Sequence, residues 1–184
     1  YFPRTLKAIY SGAFSECGKL TTADLPDALR YIGPGAFQGC LSLTEVTFGS
    51  SLKNIQADAF RGCKSLNRLA FPSAVMEIGE HAFADTGIER IVLPDSLETL
   101  PMGCFSHCEK LQEVTAGKGT SVVSDRAFNG CTELEKLDFR PAKVLYHVHD
   151  LAFLDCSKVK AVLCRENQAA MLRRHFRPEI LVIS

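Results

Sequence analysis

Apolar positions along this 184-residue chain recur with a spacing too long for one helix or one strand. The segment Ile55–Leu66, I-Q-A-D-A-F-R-G-C-K-S-L, sets the pattern. An aliphatic residue is followed by Ala-Phe four and five positions later, Cys three after the Phe, and Leu three after the Cys. The Ala-Phe step returns at Ala13-Phe14, Ala36-Phe37, Ala59-Phe60, Ala82-Phe83, Cys104-Phe105, Ala127-Phe128 and Ala152-Phe153, at offsets of 23, 23, 23, 22, 23 and 25 residues. A fixed period of this size marks a repeat architecture, because one such unit cannot bury its own apolar face and must stack on its neighbours.

Within a unit, Leu66-x-x-Leu69-x-Phe71 alternates at its end as a half-buried strand does. Pro26, Pro72 and Pro94 close this stretch in their units, since proline has no N–H to give to a ladder. A second aliphatic pair follows, as in Leu52/Ile55 and Val75/Ile78. Ala-Phe-x-x-Cys is too short for an ordinary helix and predicts one helical or 3₁₀ turn, with Ala, Phe and Cys on its inner side. Six of the eight cysteines, Cys17, Cys40, Cys63, Cys108, Cys131 and Cys156, share one column of the repeat, and Thr86 takes that place in the fourth unit. A column in a stack is a packing position, so these are expected to be free, buried thiols rather than disulfides. Cys104 and Cys164 lie outside the column and are left open.

The pattern Leu-x-x-Val/Leu-x-Leu/Phe-Pro-x-x-Val-x-x-Ile-Gly-x-x-Ala-Phe-x-x-Cys-x-x-Leu resembles the BspA-like class of leucine-rich repeat, from about Leu6 to Cys164. Gly33 and Gly79 keep its Ile-Gly step, whereas Gln56, Pro101 and Ser124 depart from it. The resemblance implies an α/β repeat: a right-handed leucine-rich-repeat solenoid with a parallel β-sheet on one face and short helical or 3₁₀ turns elsewhere. Residues 1–164 would form the solenoid, about seven units starting mid-repeat, and residues 165–184 the C-terminal cap of the same domain. In that cap Gln168–Phe176 can form a helix with Ala169, Leu172 and Phe176 on one face; Pro178 stops it, and Ile180–Ile183 reads as a last strand. The class includes many secreted or cell-surface proteins of host-associated microbes that bind other proteins, which implies a surface location and an adhesive use. It has no shared catalytic residues to carry over.

Composition narrows the partners. Lys plus Arg equals Asp plus Glu at 21 each, which gives no basic footprint for nucleic acid. No apolar run approaches the roughly 18 residues of a transmembrane segment. The opening Tyr1-Phe2-Pro3-Arg4 carries no signal peptide, and a stack that starts mid-unit makes its uncapped N-terminal end a candidate contact.

Catalytic and metal motifs in the sequence are incomplete. Gly12–Leu20 has one residue too many for a phosphate loop and Leu where Ser or Thr would hold the metal. Cys104 and Cys108 flank His107 without completing a four-ligand zinc set. His147 and His149 share a face of an extended stretch, yet no third ligand is evident. Glu133 and Glu135 read as solvated charges. No cofactor, metal or catalytic site is indicated, and the chain reads as a non-enzyme.

Specificity must therefore reside in what varies between units. The outward strand positions expected to line a concave face carry Glu45, Arg68, Arg90, Glu113, Lys136 and Asp138, and Arg68 and Arg90 are the preferred contact residues. Aromatics are scarce there, which speaks against stacking of sugars or bases. A second, basic patch on the cap comprises Arg165, Arg173, Arg174 and Arg177; the plainer account is a solvated helix end. Three irregularities break the period: a residue lost near Asp85-Thr86-Gly87, the Gly-rich turn Ala116–Ser121, and about two residues inserted between Phe139 and Leu145. The first reading is a non-catalytic protein-interaction module. The alternative is a structural spacer in a longer repeat array. A metal-binding or enzymatic domain built on His147 and His149 is third.

Overall fold

The structure, a computed structural model, describes all residues 1–184. Each unit supplies two short strands, and like strands of successive units pair in parallel. One file runs Thr22–Asp24, Glu45–Thr47, Arg68–Leu69, Arg90–Val92, Glu113–Thr115, Lys136–Asp138, Ala161–Cys164 and Leu181–Ile183. The other runs Ala8–Ile9, Tyr31–Ile32, Asn54–Ile55, Glu77–Ile78, Thr99–Leu100, Val122–Val123 and His147–Val148. This second file is what the aliphatic pairs build, a strand that their three-residue spacing does not announce.

The core lies between the two files and the Ala-Phe turns. Phe14, Phe37, Phe60, Phe83, Phe105, Phe128 and Phe153 stack along the axis with neighbouring centroids 5.1–5.6 Å apart, within 12° of parallel. The small Ala before each Phe lets successive turns approach closely enough for that stack. Thiols complete it. The Sγ atoms of Cys40, Cys63, Cys108, Cys131 and Cys156 donate to the carbonyl of the Phe one coil earlier, at 3.1–3.2 Å. Thr86 instead donates within its own turn, to Phe83 O at 2.8 Å.

The Ala-Phe segment is a tight turn with Ala, Phe and Cys inside, but its backbone is not 3₁₀. Donors alternate. In one unit Ala36, Gln38 and Cys40 bond back within the turn, while Gly35, Phe37 and Gly39 donate to Ala57, Ala59 and Arg61 of the next coil. To aim every second N–H along the axis, residues on either side of Ala-Phe adopt left-handed conformations. The residue before Ala is Gly12, Gly35, Asp58, His81, Gly103 or Arg126, and the second after Phe is Glu16, Gly39, Gly62, Asp85, His107, Gly130 or Asp155. At Gly62, φ +74°, a Cβ would meet only Gly39, in ordinary contact at 3.8 Å, so replacing it isolates the backbone preference. Gly62→Ala is expected to lower unfolding stability by about 1–2 kcal/mol, read as a lower urea midpoint with an unchanged slope.

Both strand files part at one place. Arg68–Leu69 does not pair with Arg90–Val92, nor Glu77–Ile78 with Thr99–Leu100, whereas the turn ladder continues through Phe83 N–H to Cys104 O at 2.9 Å. Two features of the sequence cause this joint. The residue missing near Thr86 shortens the coil that leads into Arg90–Val92. Pro101 then stands where Gly33, Gln56, Gly79, Ser124 and His149 donate to the preceding coil, and it has no N–H for Ile78 O.

The other two irregularities are absorbed locally. In the Gly-rich turn, buried Thr120 accepts the Gly117 N–H, and Lys118 pairs with Asp95 at 2.7 Å. The inserted residues after Phe139 are held by the cap: Gln168, fully buried, donates from Nε2 to Phe139 O and Ala142 O. The cap helix is Glu166–Leu172, shorter than the expected Gln168–Phe176 and begun two residues earlier. Its backbone start is secured by Arg165 N–H donating to Gln168 Oε1 at 2.8 Å. Pro178 opens a 3₁₀ turn, and Leu181–Ile183 pairs on Ala161–Cys164 to cover the last coil.

Candidate binding face

On the longer strand file, the central residue of each strand points into the core and its neighbours point out. Val46, Ile91, Val114 and Leu137 are buried, while Glu45, Arg68 and Arg90 are exposed and Glu113, Lys136 and Asp138 are half-buried. The fold thus brings all six charges onto one face. It does not leave them equivalent. Glu113 and Lys136 are register partners on paired strands, and Lys136 Nζ donates to Glu113 Oε1 at 2.6 Å. Asp138 accepts from Arg140 Nε at 2.9 Å and Nη2 at 2.7 Å, and this forked hydrogen bond holds its carboxyl below the usual range. Arg140 belongs to the inserted loop. Nothing in the repeat pattern points to it.

Arg68, Arg90 and Glu45 take part in none of the nine ion pairs. Arg68 and Arg90 lie at the joint, where the sheet is open. A cleft of about 670 Å³ there is lined by residues that include Glu45, Phe48, Arg68, Phe71, Glu89 and Arg90. A second, of about 490 Å³, shares Ala70, Phe71 and Arg90 with it and extends to Val92. The N–H groups of Leu25, Leu93, Ala116 and Phe139 each donate to the next coil, but those of Phe48 and Phe71 have no acceptor in the chain. The lost residue is visible in the sequence, whereas the clefts beside it depend on where the shortened coil runs.

The cap patch also carries unpaired charge. Arg165, Arg173, Arg174 and Arg177 are exposed, and none joins an ion pair. Nearby Lys158 and Lys160 are engaged, donating to Glu133 and Glu135 at 2.6 Å, so those carboxylates are paired across coils rather than simply solvated. At the other end, Phe14, Cys17 and Leu20 are half-buried, where their counterparts Phe37, Cys40 and Leu43 are fully buried, and Phe14 and Leu20 border a cavity of about 1210 Å³.

The remaining chemical candidates resolve into structure. Gly12–Leu20 is the first Ala-Phe turn, with Phe14 N–H bonded to Ala36 O. Cys104 and Cys108 are buried, and burial pushes the Cys108 thiol up to about 11. His149 Nδ1 accepts the Leu151 N–H at 3.2 Å and lies 3.4 Å from Asp125 Oδ1. His147 lies beside it, with ring centroids 6.2 Å apart. No three His, Cys, Asp or Glu side chains converge to hold a metal. No helix is long and apolar enough to cross a membrane.

The BspA type leucine rich repeat region, in 6 copies, matches residues 1–112 and 76–178. No curated protein matches the chain. Among solved structures, a leucine rich repeat protein of T. pallidum superposes with a TM-score of 0.81 at 24% identity, over 96% of this chain and 81% of that one. A leucine-rich repeat protein from Bacteroides ovatus gives a TM-score of 0.54 at 22% identity, over 86% of this chain and 59% of its own. Identities this low show a shared fold.

Proposed function

The chain belongs to the BspA type leucine rich repeat family, and on that footing we propose that it is a non-catalytic protein-interaction module whose strand face receives the partner. The observation that carries this reading is the uneven state of the charges on that face. Glu113, Lys136 and Asp138 are neutralised by their own chain, while Arg68 and Arg90 stand unpaired beside a cleft. An arginine left without a partner in the free protein keeps its forked donors for another molecule. Family membership also supports a place outside the cell or on its surface, where a solenoid presents an extended face to other proteins.

A spacer in a longer repeat array is the competing role, in which stacking itself is the function and no one face matters. Charge reversal separates the two. Arg68→Glu with Arg90→Glu is expected to weaken binding of a protein partner recovered with the intact chain by about tenfold or more. The thermal midpoint should fall only slightly, since neither side chain has an ionic partner to lose and the new carboxylates face Glu45 and Glu113 across solvent-accessible register positions. Undiminished binding by the doubly reversed chain would remove the strand face from the argument. The four cap arginines offer a second contact for an acidic partner surface, and the same assay on Arg173→Glu/Arg174→Glu reports on it independently.

A further inference from the structure

Building on the strand-face reading, we infer that the joint beside Arg68 and Arg90 docks an extended peptide segment whose carboxylates are isolated among neutral residues. Donors without partners in the chain border one cleft, among them two guanidinium groups and the backbone N–H groups of Phe48 and Phe71. That set suits a carboxylate, which accepts both forked side-chain and main-chain donors. An adjoining apolar strip fits the neutral positions. Ala70, Phe71 and Val92 border the second cleft, and Val92 is 66% exposed, an unusual state for a valine beside a core.

Glu45 and Glu89 fix the character of the acid. Both border the first cleft and neither is ion-paired, so a continuous run of negative charge would meet them as closely as it met the arginines. A polyanion is therefore disfavoured, and a strand-like segment that presents carboxylates on alternate residues is favoured. Extended backbone also suits the place, because the free N–H groups lie where the ladder stops rather than on a helix or turn.

The test selects random 12-residue peptides displayed on phage against the intact chain, then measures synthetic copies of the enriched peptides by fluorescence anisotropy. Enriched peptides are expected to carry Asp or Glu at separated positions with apolar or β-branched residues between them. Arg68→Ser/Arg90→Ser should weaken them by about tenfold or more, and Arg68→Lys/Arg90→Lys, which keeps the charge but not the fork, by less. Poly-L-glutamate should bind more weakly than the enriched peptides. The inference is overturned if no peptide is enriched, if the enriched peptides lack carboxylates, if poly-L-glutamate binds as well, or if the serine pair changes nothing. Loss of binding in Glu113→Ser/Lys136→Ser alone would move the site off the joint and leave the strand-face reading standing. Insensitivity to both pairs would remove both.

Discussion

Truncating Phe60 to alanine is expected to cost about 3–5 kcal/mol of unfolding stability, the range for emptying a large aromatic site in a packed interior. Phe60 is fully buried and stacks on Phe37 at 5.1 Å and on Phe83 at 5.3 Å, and Phe48 meets it edge-on at 5.8 Å. The gap cannot close by local collapse. Its walls are the turns of the two adjacent coils, tied by Phe37 N–H to Ala59 O and Phe60 N–H to Ala82 O at 2.7 Å. Phe14→Ala is the control, because Phe14 lies in the first coil and is half-buried, so its loss should cost clearly less. Urea unfolding of both variants gives the comparison. Equal losses would show that the stack does not share its load along the axis as a nearest-neighbour array should.

That contrast also shows how far the chain explains itself. The 23-residue period places the Phe column, because a residue repeated at one position of every unit has its own copies as neighbours. The same logic places Glu113 opposite Lys136, which pair, and equally Glu45 opposite Arg68, which do not, so the period gives the neighbours and not the bond. Other parts are hidden. The two left-handed columns are occupied by glycine in only some units, and Glu16, Asp58, His81, Asp85, His107, Arg126 and Asp155 mask the rest. The Arg140–Asp138 pair and the clamp of Gln168 on the inserted loop depend on where irregular backbone runs, which no period dictates.

The joint is an intermediate case. Its two causes, a missing residue and Pro101, are plain in the sequence, and each is ordinary as loop drift. Their effect depends on geometry. They fall in the same coil, one acting on each strand file, while the turn ladder between them stays intact. A solenoid that parts on two sides and holds at the third keeps its core closed and opens its surface. In this chain that opening lies beside Arg68 and Arg90, the two strand-face arginines without an ionic partner.

The thiol column predicts an unusual response to alkali. Burial raises the pKa of Cys40, Cys63, Cys104, Cys108 and Cys131, that of Cys63 to about 12. A raised folded pKa means the native state keeps its proton when the unfolded chain has lost it. The stabilising effect is therefore complete below the ordinary thiol value of 9.0 and is withdrawn as pH rises above it, until the folded pKa is reached. At pH 10 Cys63 and Cys108 each favour unfolding by about 1.4 kcal/mol, about 3 kcal/mol together, and the other three thiols act in the same direction, against a total stability of about 5–15 kcal/mol for a domain. Under reducing conditions the urea midpoint is thus expected to be flat to about pH 8 and to fall steeply between pH 9 and 11. Cys63→Ala lowers stability at neutral pH by opening a small cavity, but above pH 9 its stability should fall less steeply, by about 1.4 kcal/mol per pH unit. A wild-type slope equal to that of Cys63→Ala between pH 9 and 11 would mean that the thiols reach solvent in the native coil, contrary to their hydrogen bonds to the Phe carbonyls.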